Sequence, residues 1–203
     1  MNEKINTGEI IKVGVILFLI TAVLAGLLAF VNAKTAPLIE QNALIASCSA
    51  MKTVMPDAIS FDEVEITDEL TAIAAENGGE ISKAYIAKDS SGADIGACVI
   101  TVTTGYDVGI QTVTGVSTDH VSVTGVDIIS MNETPGLGAN ADNLEFRDQY
   151  IGKYEGVKVV KSSPDENSIQ AIAGATKTSN GVTKGVNIAL KAAEKILFEG
   201  GNE

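Results

Sequence analysis

Ala171-Ile172-Ala173-Gly174-Ala175-Thr176-Lys177-Thr178-Ser179-Asn180-Gly181-Val182 gathers small residues and hydroxyls into a turn. Directly after it, Val182, Val186, Ala189, Leu190, Ala193, Ile196 and Leu197 recur at helical spacing, and Thr178 or Ser179 has the side chain that an N-cap requires. The turn is therefore expected to open a long C-terminal helix. Unpaired backbone N–H groups and the positive end of the helix dipole would converge near Thr176, an environment that suits a phosphate. By the residue types alone, an ordinary capped helix start is the favoured reading, since small residues before a capped helix are common.

Upstream, alternation of Val, Ile and Thr marks strands. Residues 81–88 meet residues 94–104 across Asp89-Ser90-Ser91-Gly92, and residues 110–116 pair with 121–129 around Ser117-Thr118-Asp119-His120. The pattern predicts an antiparallel sheet of about four strands. A short helical segment at 142–150, a further strand at 157–161 and the long C-terminal helix over one sheet face complete an α+β domain. His120 reads as a solvent-exposed turn residue.

The N-terminal part differs in kind. Residues 13–31 carry no charge and are almost wholly apolar. As a helix they extend roughly 28 Å, close to the ~30 Å of a bilayer's hydrocarbon layer. The run is longer than a signal-peptide core and its exit, Asn32-Ala33-Lys34-Thr35, is a weak cleavage site, so an uncleaved single-pass anchor is expected. Lys4 and Lys12 before the span, tempered by Glu3 and Glu9, against Lys34 after it, give a slight preference for an N-terminus inside. Pro37 can sit in the first turn of a helix whose apolar face is Leu38, Leu44, Ile45, Cys48, Met51 and Met55, ended by Pro56, a connector expected to continue from the membrane helix. The chain thus divides into a tail and anchor (1–34), a connector helix (35–56) and a folded domain (57–203).

Composition narrows the function. The 203 residues carry a formal net charge of −12, with one His and no Trp. That balance argues against nucleic acid, whose binding rests on clustered Lys and Arg. Eight acidic residues fall between Asp57 and Glu80 without a Lys or Arg, which reads first as a solvated surface and second as an acidic docking face. Cys48 and Cys98 are too few and too widely spaced for a zinc or iron–sulfur site; a disulfide between them stays open outside the cell, with buried free thiols the favoured reading. No Gly-x-Gly-x-x-Gly run follows a strand, and no ionisable residue lies within the apolar span, so nicotinamide chemistry and ion conduction would belong to partners.

A second turn, Met131-Asn132-Glu133-Thr134-Pro135-Gly136-Leu137-Gly138, follows the last strand of the sheet, and its Pro and two Gly allow close backbone approach. Two motifs now stand in order. Gly174-Ala175-Thr176-Lys177-Thr178-Ser179 resembles the Ser/Thr-Gly-Ala-Thr-x-Thr-Ser signature of covalent FMN-binding domains, with Ala173 and Gln170 departing from its usual residues. Glu133-Thr134-Pro135-Gly136-Leu137-Gly138 resembles a loop of the G subunit of Rnf electron-transport complexes and of the C subunit of sodium-pumping quinone reductases. Gly105-Tyr106 and Val54-Met55-Pro56-Asp57-Ala58 resemble further parts of the same families, and the short chain is more similar to the Rnf protein.

The resemblance implies FMN esterified through its phosphate to Thr176 by a flavin transferase. Gly174, Ala175, Lys177, Thr178 and Ser179 would surround the attachment, with Glu133, Thr134, Pro135, Gly136, Leu137, Gly138 and Tyr106 against the flavin. It further implies an electron-carrying subunit of an ion-translocating ferredoxin:NAD oxidoreductase, without a complete active site of its own. The subunit would be anchored in membrane lipid beside the other Rnf subunits, with its flavin domain extracytoplasmic. The alternatives are the C subunit of a sodium-pumping quinone reductase, a separate FMN module feeding an extracytoplasmic reductase, and a membrane-anchored scaffold without redox chemistry.

Overall fold

A computed structural model describes residues 7–199, so Glu3 and Lys4, which enter the charge count for orientation, lie outside the described residues. The chain divides into two compact units, one ending at Ile45 and the other beginning at Ala46. The first helix, α1 (Thr7–Val54), runs without a break. Residues 35–54 belong to this same helix. Within α1, Ile10–Ala36 is long and apolar enough to cross a membrane once, with a mean hydropathy of 2.8 and no residue of the most apolar window buried. The helix stops at Val54, two residues before Pro56.

The second unit is built on a five-stranded antiparallel sheet in the order β1-β2-β3-β4-β5. Both hairpins expected from the sequence are present: β2 (Gly79–Lys88) pairs with β3 (Asp94–Thr104), and β4 (Val108–Ser117) pairs with β5 (Val123–Ser130). The additional strand is β1 (Ser60–Val64), inside the acidic stretch. Its position at the sheet edge leaves Asp62 and Glu63 in solvent, which is where charge protects an edge from pairing with another chain. The stretch also contains α2 (Asp68–Glu76), whose N-cap Thr67 accepts a hydrogen bond from the Leu70 amide at 3.3 Å.

Beyond β5, a 3-10 turn (Gly138–Asp142), the one-turn α3 (Leu144–Arg147) and a second 3-10 turn (Asp148–Tyr150) replace the single short helix expected there. Arg147 ties this segment to the sheet through Asp127. The expected strand near residue 157 is β6 (Lys158–Val160), and it pairs in parallel with β7 (Ser168–Gln170) in a separate two-stranded sheet. The chain then enters α4 (Thr176–Glu194), followed by a π-helical turn (Lys195–Glu199).

Both faces of the main sheet are covered. On one, Val182, Val186, Ala189 and Leu190 of α4 pack over Val99, Ile110 and Val116, all buried. On the other, Ala50, Met51 and Val54 from the end of α1, with Met55, lie over Tyr85, Cys98, Ile100 and Val113. That second layer explains the continuous burial of β3 from Gly96 to Thr101. Gly115 and Gly125 are register partners in the β4–β5 pair, and a Cβ at either would meet the Val54 backbone at 2.8 to 3.0 Å. Their bare backbone admits the helix end, whose Val54 carbonyl accepts a hydrogen bond from the Thr124 hydroxyl at 2.7 Å. The thiols differ accordingly. Cys98 is buried between the layers as expected, whereas Cys48 is exposed, because the residues that turn toward the sheet are Met51, Val54 and Met55.

Candidate functional site

The sheet and α4 bring together the two turns singled out in the sequence. Tyr106 from the β3–β4 turn, Glu133, Thr134, Leu137 and Gly138 from the turn after β5, and residues 174–178 at the start of α4 line one cavity of about 510 Å³. Pro135 and Gly136 shape the second turn without lining the cavity. Gly136 takes φ +76°, open to glycine, and the Thr134 carbonyl accepts from the amides of Leu137 and Ala139, both at 3.1 Å. Ser179 also stands outside the lining, buried on the inner side of α4.

Glu133 joins the parts. Its side chain is buried, and such a group needs hydrogen-bond partners. Oε1 accepts from the Tyr106 amide at 2.9 Å and the Asp107 amide at 3.3 Å, while Oε2 accepts from the Thr178 hydroxyl at 2.9 Å. One carboxylate therefore fixes the β3–β4 turn, its own loop and the first turn of α4. Close backbone approach makes this arrangement fit: a Cβ at Gly138 would run into Glu133 Oε2 and the Thr178 hydroxyl, and one at Gly181 would lie 2.9 Å from Gly105 Cα. Gly181, not anticipated as a site residue, is further held by its carbonyl, which accepts from the buried Thr103 hydroxyl at 2.9 Å. A glycine on the buried face of a helix was its only signal in the sequence.

The start of α4 departs from expectation. Its N-cap is Ala175, which makes no side-chain capping bond, and neither Thr178 nor Ser179 caps the helix. Thr178 is drawn to Glu133. Ser179 Oγ accepts from the Ile172 amide at 3.0 Å and donates to the Ala175 carbonyl at 3.1 Å, which fixes the turn that precedes the helix. Gly174 enters that turn at φ +77°. The first intrahelical bond runs from the Ser179 amide to the Ala175 carbonyl at 3.0 Å, so the amides of Thr176, Lys177 and Thr178 have no partner within the helix.

Three hydroxyls occupy this turn, and they differ in availability. Thr178 and Ser179 are buried and bonded, whereas Thr176 is exposed at the cavity, and among the described residues no hydrogen bond engages its hydroxyl. Lys177 extends over the Tyr106 ring, with Nζ 5.5 Å from the ring centroid. A cavity of this volume lies within the range of small-ligand pockets, about 300–1,000 Å³. An exposed hydroxyl beside uncapped helix amides fits a phosphate-bearing cofactor. FMN, when bound, would supply one- and two-electron transfer. The residues of this chain would anchor its phosphate at the start of α4 and bound the cavity with Leu137, Tyr106 and the Glu133-centred turn.

Comparison with known proteins places the chain. The family model described as FMN-binding domain matches residues 105–191, which takes in both turns of the cavity, and the model for the RnfG N-terminal region matches residues 1–54. Over 202 residues, 95% of this chain and 96% of the relative, it is 41% identical to the G subunit of the Na(+)-translocating ferredoxin:NAD(+) oxidoreductase complex of Acetobacterium woodii. The chain belongs to the RnfG family. Another RnfG-family relative, the G subunit of the ion-translocating oxidoreductase complex of Methanosarcina acetivorans, is 31% identical over 91% of this chain and 95% of its own length. In fold, this RnfG-family chain is similar to the crystal structure of Shewanella oneidensis NqrC, with a TM-score of 0.51, 19% identity and 72% of each chain covered. A second cavity, also about 510 Å³, is lined by Asn140, Asn143, Gln149 and Gln170 around Phe146 and Ile172, and no motif pointed to it.

Proposed function

We propose that this RnfG-family subunit carries electrons within a membrane-bound, ion-translocating ferredoxin:NAD oxidoreductase, through FMN held as a phosphoester on Thr176. The observation that carries the reading is the convergence of the turn after β5 and residues 174–178 on one cavity, where Thr176, of the three hydroxyls at the start of α4, is the one left exposed and unbonded. A phosphoester retains a negative charge, and the uncapped start of α4 favours it by about 0.3–1 kcal/mol. Attachment requires a flavin transferase, and exposure of Thr176 leaves the hydroxyl within such an enzyme's reach. Tyr106 and Leu137 are 75% and 46% exposed, so a ring lying between them would keep an edge open for electron exchange with neighbouring subunits.

The apolar helix anchors the subunit in lipid, with the N-terminus cytoplasmic and the folded unit on the extracytoplasmic side, in keeping with the resemblance to Rnf subunits. Electrons enter from one partner and leave to another, while ion translocation and nicotinamide chemistry reside elsewhere in the complex. A deletion strain complemented with the full chain tests this reading. Wild-type chain is expected to restore ferredoxin-dependent NAD reduction by membranes and to retain flavin fluorescence after denaturation, and Thr176→Ala to do neither. Restoration of activity by Thr176→Ala would refute it.

A further inference from the structure

Two charged side chains line the flavin cavity, and the fold treats them differently. The Glu133 carboxylate is consumed by three hydrogen bonds. Lys177 forms no ion pair among the described residues, and the first turn of α4 contains no acidic residue. A lysine at the second position of a helix sits at the positive end of the dipole, where cations are disfavoured. A rule of helix construction is thus broken at the cavity wall, with an exposed aromatic ring as the support for the ammonium.

Adjacent helical residues project about 100° apart. The Lys177 chain accordingly diverges from Thr176 and leans toward Tyr106, away from the point of phosphate attachment. We propose that Lys177, propped on Tyr106, tunes the flavin: its positive charge stabilises the reduced ring and raises the reduction potential. A flavin ring that takes two electrons from a redox partner in the complex and one proton from solvent carries one additional negative charge, and an unpaired ammonium at the cavity mouth offsets it. The inference rests on the assignment of this cavity to FMN.

The test is a spectroelectrochemical titration of the full-length, flavin-bearing chain in detergent, comparing wild type with Lys177→Gln, Lys177→Arg and Tyr106→Leu. Only flavin-bearing molecules contribute to the signal. At a fixed poise near the wild-type midpoint, Lys177→Gln is expected to lower the ratio of reduced to oxidised flavin by about tenfold, the effect weakening at high salt. Lys177→Arg should restore the wild-type ratio, and Tyr106→Leu should lower it less than Lys177→Gln. An unchanged ratio in Lys177→Gln overturns the proposal while leaving the flavin site intact. So does the complete loss of attached flavin in that variant, which would make Lys177 part of the attachment reaction. Absence of flavin from the wild-type chain, or its attachment away from residues 174–178, overturns the site assignment itself.

Discussion

Glu133 shows how one side chain can organise a site. Removing it in Glu133→Ala strands the Tyr106 amide and the Thr178 hydroxyl, and each buried group left unpaired costs roughly 1–3 kcal/mol. Chemical denaturation of the full chain in detergent should show a loss of about 2–4 kcal/mol for Glu133→Ala. Glu133→Gln should lose less, because its amide oxygen can keep the bonds to the β3–β4 turn while its NH₂ donates to the Thr178 hydroxyl. Equal losses in the two variants would show that the carboxylate fills space and does not tie the turns. Cys98 gives a pH signature. Burial between the layers pushes its thiol up to about 12 from an ordinary 9.0. The unfolded chain therefore releases this proton first as pH rises, so the contribution is unaffected below about 9 and stability falls between about 9 and 12. At pH 8 an alkylating reagent should modify exposed Cys48 and spare Cys98 until the chain is denatured.

Among the elements, Gly181 governs how closely α4 approaches the sheet. The atoms that an added methyl would meet, Gly105 Cα and the Thr104 carbonyl at 2.9 Å, belong to backbone and cannot swing aside. Gly181→Ala should lift the helix start from the β3–β4 turn, with a loss of about 1–3 kcal/mol and an altered flavin absorption spectrum. Wild-type stability and spectrum in this variant would show that the close approach is dispensable. The two hairpins and α4 were legible in the sequence because alternating Val, Ile and Thr, and then a 3.6-residue apolar period, face a core. β1 was not, since an edge strand whose Asp62 and Glu63 face solvent lacks that alternation. The second covered face was hidden for another reason: Met51, Val54 and Met55 read as a connector until Gly115 and Gly125 are seen to admit them. The two turns that line the cavity are the two that the motifs single out. The misread cap reflects competition for hydroxyls, with Thr178 taken by Glu133 and Ser179 by the Ala175 carbonyl.

For the molecule as a whole, one apolar helix long enough to cross a bilayer among the described residues fits a membrane-anchored Rnf subunit. A single crossing by Ile10–Ala36 would put every described strand on the same side of a membrane. Protease added to right-side-out vesicles that carry the chain without its partners should digest residues beyond the span, and a flavin domain digested only in inverted vesicles would reverse the proposed orientation. The central claim, a flavin tethered where the two turns meet, is tested most directly by peptide mapping of the full chain matured with its transferase. The mass of FMN, less one water, is expected on Thr176, with an unmodified but folded chain for Thr176→Ala. Flavin on Thr178 or Ser179, or a Thr176→Ala chain that still carries covalent flavin, would contradict it.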